Sequence, residues 1–197
     1  MVRNGWLVRH GESTWNALGL AQGYCDQARL TRHGEHQAWE VAARLRSRPI
    51  GALYASDLRR AQQTAAPLAS VLGLPVTSDA RLRERCLGVL EGTDVAAIHP
   101  TVSGVRACRV VDADARPAGG ESLRDFYRRV AEFADDLPAL GGIAVVAHGG
   151  TVRVLNAYLR RIPVERMSWE PLANGCILRS PTRRLDHATN QSEREIK

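Results

Sequence analysis

Gly142–Thr151 reads GIAVVAHGGT. Its first six residues are apolar or small, without the alternating polar positions of a strand that has one wet face. A continuous run of this kind suits a strand covered on both faces, the usual state within a parallel sheet. The run stops at His148, and Gly149, Gly150 and Thr151 lead into a helical pattern, Thr151 to Arg160, ahead of Pro163. A buried strand feeding a helix puts His148 at the strand's carboxyl end, beside the free N–H groups of a first helical turn. In open α/β sheets that is where ligands gather.

The rest of the chain repeats the alternation. Short apolar runs at 5–9 and 51–56 read as strands, and 75–79 and 175–180 as weaker ones nearer the sheet edges. Between them, apolar positions step by three and four: Leu58, Ala61, Ala65, Leu68 and Leu72 in 57–72, and Leu123, Phe126, Val130, Phe133 and Leu137 in 122–137. Ala38, Val41, Ala42 and Leu45 mark a further helix in 32–47. The expectation is an α/β fold, a three-layer αβα sandwich with a mostly parallel central sheet. One domain is expected over 1–180, interrupted by an aperiodic, Pro- and Gly-bearing excursion or lid at 93–120 and followed by a polar tail, 181–197.

Composition narrows the function classes. Hydrophobic residues at 44% and charged residues at 24% fit a globular chain long enough to bury a full core. No stretch is apolar over the ~20 residues that span a bilayer, and the first residues lack a secretory pattern, so a cytoplasmic location is expected. Cys25, Cys86, Cys108 and Cys176 are scattered without a CxxC pair, which argues against a zinc site or a disulfide framework. The net charge of +6 comes almost wholly from arginine, Lys197 being the only lysine. Such a balance suits an anionic ligand. With aromatics at 5% and no basic run interleaved with them, nucleic acid is not the expected one.

The tetrapeptide Arg-His-Gly-Glu occurs twice, at Arg9–Glu12 and Arg32–Glu35. The first copy ends the strand 5–9. The second follows Thr31, a good N-cap, and forms a first helical turn; His33 and His36 there read as solvated surface, not metal ligands. Arg60 lies in the opening turn after the strand 51–56, with Ser56 or Asp57 as the expected cap, and tilts back toward the strand ends. If the three strands are neighbours, Arg9, His10, Arg60 and His148 converge. Cations packed together repel, and a bound phosphate dianion relieves that repulsion. The carboxyl ends of the strands are therefore expected to form a phosphate pocket.

These residues carry a resemblance. The ordered set Arg9-His10-Gly11-Glu12, Thr14, Asn16, Gln22-Gly23, Asp26, Leu30-Thr31, Gly34, Gln37-Ala38, Ser56, Arg60-Ala61 and Thr64-Ala65, followed by LRERCLGVLEG, GGES and VVAHGG, is similar to the histidine phosphatase superfamily in its phosphoglycerate mutase-like branch. The resemblance implies that His10 becomes phosphorylated, that Arg9, Arg60 and His148 hold the phosphoryl group, and that Glu84 protonates the leaving oxygen. Asn16, Gln22 and the Gly149 amide are implied as further phosphate ligands. Departures from the pattern are Leu90 where Trp is frequent before Glu91-Gly92, Arg29 where Pro is usual, and Cys86 two residues after Glu84. They touch neither the nucleophile nor its clamp and bear on pocket shape and substrate choice.

The resemblance thus implies a metal-independent phosphatase without cofactors, acting on a small phosphorylated metabolite, without membrane or nucleic-acid partners, as a monomer or homodimer. Two alternatives remain at this stage: mutase-type phosphoryl transfer, and a non-catalytic phosphate-binding protein. Arg85, Arg106 and Arg109 could meet a second acidic group, although solvated surface is the expected state of each.

Overall fold

The computed structural model describes residues 4–98, 103–137 and 142–181. A five-stranded sheet forms the centre: β1 (Asn4–Arg9), β2 (Ile50–Ala55), β3 (Val76–Ser78), β6 (Gly142–Ala147) and β7 (Ile177–Pro181), in the order β3-β2-β6-β1-β7. β6 pairs in parallel with β1 and β2, and β2 with β3; only β7 runs antiparallel, against β1. The weaker strand patterns are indeed the edges. The remaining strands, β4 (Val105–Arg106) and β5 (Arg109–Val110), form a separate two-stranded hairpin within the excursion.

Helices α1 (Thr14–Ala17), α2 (Arg32–Leu45), α3 (Arg59–Leu72), α4 (Leu123–Asp135) and α5 (Gly149–Leu159) complete the described regular structure with several 3₁₀ turns. Side chains alternate across a strand, and here they divide into two cores. Trp6 and Val8 of β1, Ala144 and Val146 of β6, and Leu53 of β2 pack on Val41 and Leu45 of α2 and Ala61, Ala65 and Leu68 of α3. Leu7, Ile143, Val145 and Ala147 face the other way, onto Phe126, Val130 and Phe133 of α4 and Val152 and Leu155 of α5. Both faces of β6 are covered, which is why its sequence shows no polar alternation.

Several boundaries differ from the sequence reading. Neither Ser56 nor Asp57 caps α3; its N-cap is Leu58, without a side-chain bond. Both expected caps are engaged elsewhere: the Ser56 hydroxyl lies 2.9 Å from His148 Nε2, and Asp57 accepts from Arg83 Nε at 2.8 Å. α5 starts at Gly149, two residues before the expected Thr151, because His148 already adopts the extended N-cap backbone. Thr31 caps α2 as expected, accepting from Gly34 N. Pro181 belongs to β7 and not to a tail; residues 182–197 and residues 99–102 of the excursion lie outside the described residues.

Within 93–98 and 103–120 the excursion is irregular, and it is tied to neighbouring loops. Ala21 N donates to Thr93 O and Val95 N to Gly19 O, while Trp169 N donates to Cys108 O. Arg85 ties it from beneath, donating Nε to Glu121 O, Nη1 to Ser103 O and Nη2 to Ala115 O. Among the described residues no helix is long and apolar enough to cross a membrane.

Candidate active site

The register of the sheet builds the site. Arg9 lies opposite Ala147, and His10 N donates to Ala147 O at 2.9 Å, so His10 and His148 leave adjacent strands side by side. Their rings meet edge to face with centroids 5.2 Å apart. The chain after β1 turns to the α2 face and the chain after β6 to the α5 face; a crevice opens between two strands that diverge in this way. The cavity there has a volume of about 390 Å³ and is lined by Arg9, His10, Asn16, Gln22, Arg60, Glu84, His148 and Gly149, among others. Every residue the sequence nominated for the phosphate chemistry is in its wall.

His10 is buried, and its Nδ1 lies 2.6 Å from Gly11 O. A carbonyl only accepts, so Nδ1 carries the proton and Nε2 keeps its lone pair. In His148 the roles of the two nitrogens are reversed. Arg60 Nε donates to its Nδ1 at 3.2 Å, leaving the Nε2 proton for the Ser56 hydroxyl. Burial, then the neighbouring Arg60 guanidinium, holds both imidazoles well below the ordinary histidine range, with Arg9 adding to the effect. Both rings are therefore neutral at neutral pH.

Arg60 is fully buried. Nη1 and Nη2 donate to Cys25 O (2.7 Å) and Gly23 O (2.9 Å), which anchors the loop carrying Gln22. Burial lowers its pKa to about 10, with Glu84 the largest opposing influence. Arg9 bonds Leu172 O through Nη1, while its buried Nε has no protein partner among the described residues. An orphaned guanidinium N–H in a cavity wall is a donor awaiting an acceptor.

Asn16 and Gln22 are oriented by their carbonyl ends. Asn16 Oδ1 accepts from Ser13 N (3.1 Å) and Asn174 Nδ2 (3.0 Å), and the Ser13 hydroxyl bonds Gln22 Oε1 at 2.8 Å. Their NH₂ groups have no protein acceptor among the described residues and are available to a ligand in the cavity they line. The Gly149 amide, first of α5, has no intrahelical partner. Glu84 accepts from Arg85 N (2.9 Å) and Gly150 N (2.8 Å). It pairs with neither Arg83, which holds Asp57, nor the Arg85 guanidinium, which bonds carbonyls.

The second Arg-His-Gly-Glu buttresses the first. A Cβ on Gly11 would lie 2.3 Å from Gly34 O, and one on Gly34 would lie 2.0 Å from Glu12 O, so the two glycines allow the backbones to touch. Thr31 Oγ1 adds a bond to Glu12 Oε1 at 2.7 Å. His33 and His36 are exposed, their ring nitrogens meeting Gln37 and Glu40. No group of three or more His, Cys, Asp or Glu residues suited to a metal occurs among the described residues.

One of the expectations for the outer wall changes. Arg85 is buried and spends its nitrogens on three carbonyls, so it is neither solvated nor free for a ligand. Arg106 and Arg109 are exposed on the β4–β5 hairpin and do not line the cavity. The sequence reading missed Arg153 and Trp169, which do line it, and Asn174, which donates to His10 O and to Asn16. Arg153 was legible: four residues beyond Gly149, it shares that residue's helical face. Trp169 and Asn174 sit in an irregular segment with no periodicity to read.

The sequence profile of the histidine phosphatase superfamily (branch 1) matches residues 6–184. The chain belongs to the histidine phosphatase superfamily. Its curated relatives include a protein named probable phosphoglycerate mutase GpmB from Klebsiella pneumoniae, 36% identical over 193 residues, covering 88% of this chain and 89% of the relative. The namesake from Yersinia enterocolitica is 35% identical, with 89% and 90% covered. Among solved structures, a mycobacterial glucosyl-3-phosphoglycerate phosphatase complexed with VO3 superposes with a TM-score of 0.77 at 34% identity, covering 90% of both chains. TTHB049 from Thermus thermophilus superposes with a TM-score of 0.68 at 33% identity, covering 89% of this chain and 92% of its own. The chain thus shares its superfamily with proteins named for both mutase and phosphatase activity.

Proposed function

We propose that this member of the superfamily hydrolyses a small phosphate monoester through a phosphohistidine on His10. The observation that carries the reading is the His10 ring: buried, neutral, with Nδ1 tied to Gly11 O and the Nε2 lone pair free among Arg9, Arg60 and His148. A neutral imidazole attacks phosphorus without adding negative charge to an anion, and the covalent intermediate divides one hard step into two. Arg9 Nε, the Asn16 and Gln22 amides and Gly149 N–H bond the equatorial oxygens, and the Arg60 guanidinium, its nitrogens held by His148, Cys25 and Gly23, adds its positive charge beside them. His148 donates to the same oxygens when the anion draws its Nε2–H from Ser56. This is electrostatic stabilisation by fixed donors. Glu84, in the wall beside them, protonates the leaving oxygen and then takes the proton of the attacking water.

Water is the acceptor in this reading because the outer wall lies at the surface: Val95, which lines the cavity, is 55% exposed. A mutase must keep water from the phosphoenzyme, and the GpmB relatives make that the competing outcome. Incubation with phosphoglycerate, with and without added bisphosphoglycerate, separates them. Release of inorganic phosphate that needs no bisphosphate supports the phosphatase. Exchange between substrate positions, dependent on the bisphosphate and without phosphate release, overturns it. A chain that binds the ester and turns over nothing is a phosphate-binding protein.

A further inference from the structure

The phosphate-facing donors do not account for every cation in the cavity. Arg60 and Arg85 have all their nitrogens engaged within the protein. Arg153 does not. Its Nε donates to Glu170 O at 2.7 Å, and its guanidinium stacks over Trp169 with Cζ 5.4 Å from the ring centroid. Those contacts fix the plane of the group and leave both Nη atoms without a protein acceptor among the described residues. One of them, Nη1, lies 3.1 Å from where a Cβ on Gly149 would stand, at the mouth of the α5 amide site. No salt bridge among the described residues neutralises it. Burial lowers its pKa, the carboxylate that most opposes this is Glu84, and Arg9 adds repulsion.

Glu84 marks the leaving-group side of the site; it is held by Gly150 N at 2.8 Å, next to the Gly149 that Arg153 Nη1 approaches, so the guanidinium stands beside that side. The rest of the lining includes apolar Leu20, Leu87, Val95, Ile98 and Val105, with Ser103 bonded to Val105 and Arg85, and the Arg85 nitrogens bonded to carbonyls. A pocket with one immobilised fork of N–H donors and walls otherwise apolar or already bonded reads a single anionic group on a carbon skeleton. We infer that Arg153, held by Trp169 and Glu170 O, is a specificity-determining residue that binds a second anionic group, a carboxylate or phosphate, on the leaving part of the monoester. The inference rests on the phosphatase reading for its orientation and extends it to substrate class.

The test compares two esters that differ only in the acid, phosphoglycerate and glycerol phosphate, on the wild-type protein, Arg153→Gln and Arg153→Lys. Glutamine can still donate to Glu170 O, so the loop keeps its tether. The expected result is that wild type prefers the acid, and that Arg153→Gln lowers kcat/KM for phosphoglycerate by roughly tenfold or more, mainly through KM. Glycerol phosphate falls by no more than about threefold, and Arg153→Lys recovers part of the difference. Equal losses on both esters, or none on either, overturn the inference. If wild type hydrolyses neither ester, the phosphatase reading fails separately, and calorimetric affinities of the same two ligands decide the Arg153 question. A wild-type preference for the acid that Arg153→Gln removes supports the inference, and equal affinities refute it.

Discussion

Replacing Gly150 by alanine tests the assignment of Glu84 without touching either histidine. The added Cβ would stand 2.2 Å from Glu84 Oε1 and 3.1 Å from Phe126 Cε1. Ordinary contact is about 3.5 Å, so the carboxylate must retreat by about 1 Å and give up its bond from Gly150 N, now 2.8 Å. Phe126 is fully buried and yields only a few tenths, a strain of about 1–3 kcal/mol. Alanine in a helical turn returns up to about 1 kcal/mol over glycine. A net loss of roughly 0–2 kcal/mol leaves the protein folded. Proton delivery by a placed carboxyl contributes about 10²–10⁴-fold. An alkoxide needs that proton and a nitrophenolate does not. The expected outcome is a fall of about 100-fold or more in kcat/KM for glycerol phosphate, with nitrophenyl phosphate within about fivefold of wild type. Gly149→Ala is the counterpart. Its Cβ would lie 3.1 Å from Arg153 Nη1 and 3.5 Å from Arg9 Nε, crowding the space of the bound anion, and should depress both substrates together. If Gly150→Ala lowers both esters equally while the melting temperature stays within a few degrees, Glu84 is not the proton donor.

Acid lability follows from the buried imidazoles. Their folded-state pKa values are depressed, so from about pH 6.5 downward the unfolded chain binds up to two more protons than the folded one, and stability declines as pH falls, by at most about 2.7 kcal/mol per pH unit. Urea midpoints between pH 7.5 and 5 should show this slope, flattened in the His10→Gln/His148→Gln double variant and by added inorganic phosphate; an identical slope in the double variant contradicts it. Arg60→Lys puts one ammonium where three acceptors stand, and should cost about 2–4 kcal/mol and at least about 100-fold in kcat/KM for nitrophenyl phosphate. Activity within tenfold of wild type would remove Arg60 from the clamp. Chelators should leave hydrolysis unchanged, because arginines supply the positive charge; strong inhibition by EDTA would count against that.

The fold was legible where one physical requirement dominated. Ile143–Ala147 had to be covered on both faces, and the three- and four-residue stepping of 57–72 and 122–137 had to face the sheet. The core of the site was legible for a related reason. His10 and His148 end neighbouring strands, and Arg60 opens a helix that tilts back over them. Local propensity failed where tertiary bonds competed for the same atoms. Ser56 is a good cap, but its hydroxyl serves His148, and Asp57 serves Arg83. Arg85 looked like surface because arginines usually are; three carbonyls from segments distant in sequence draw it inside. Trp169 and Asn174 reach the cavity through an irregular segment whose path only the packing sets.

The most direct measurement is capture of the covalent intermediate. Wild-type protein mixed with a radiolabelled monoester and quenched in alkali within the first turnover should carry an acid-labile, alkali-stable label on the peptide containing His10, and His10→Ala should carry none. An enzyme that releases phosphate with no such label, or with the label on the His148 peptide, would contradict the account.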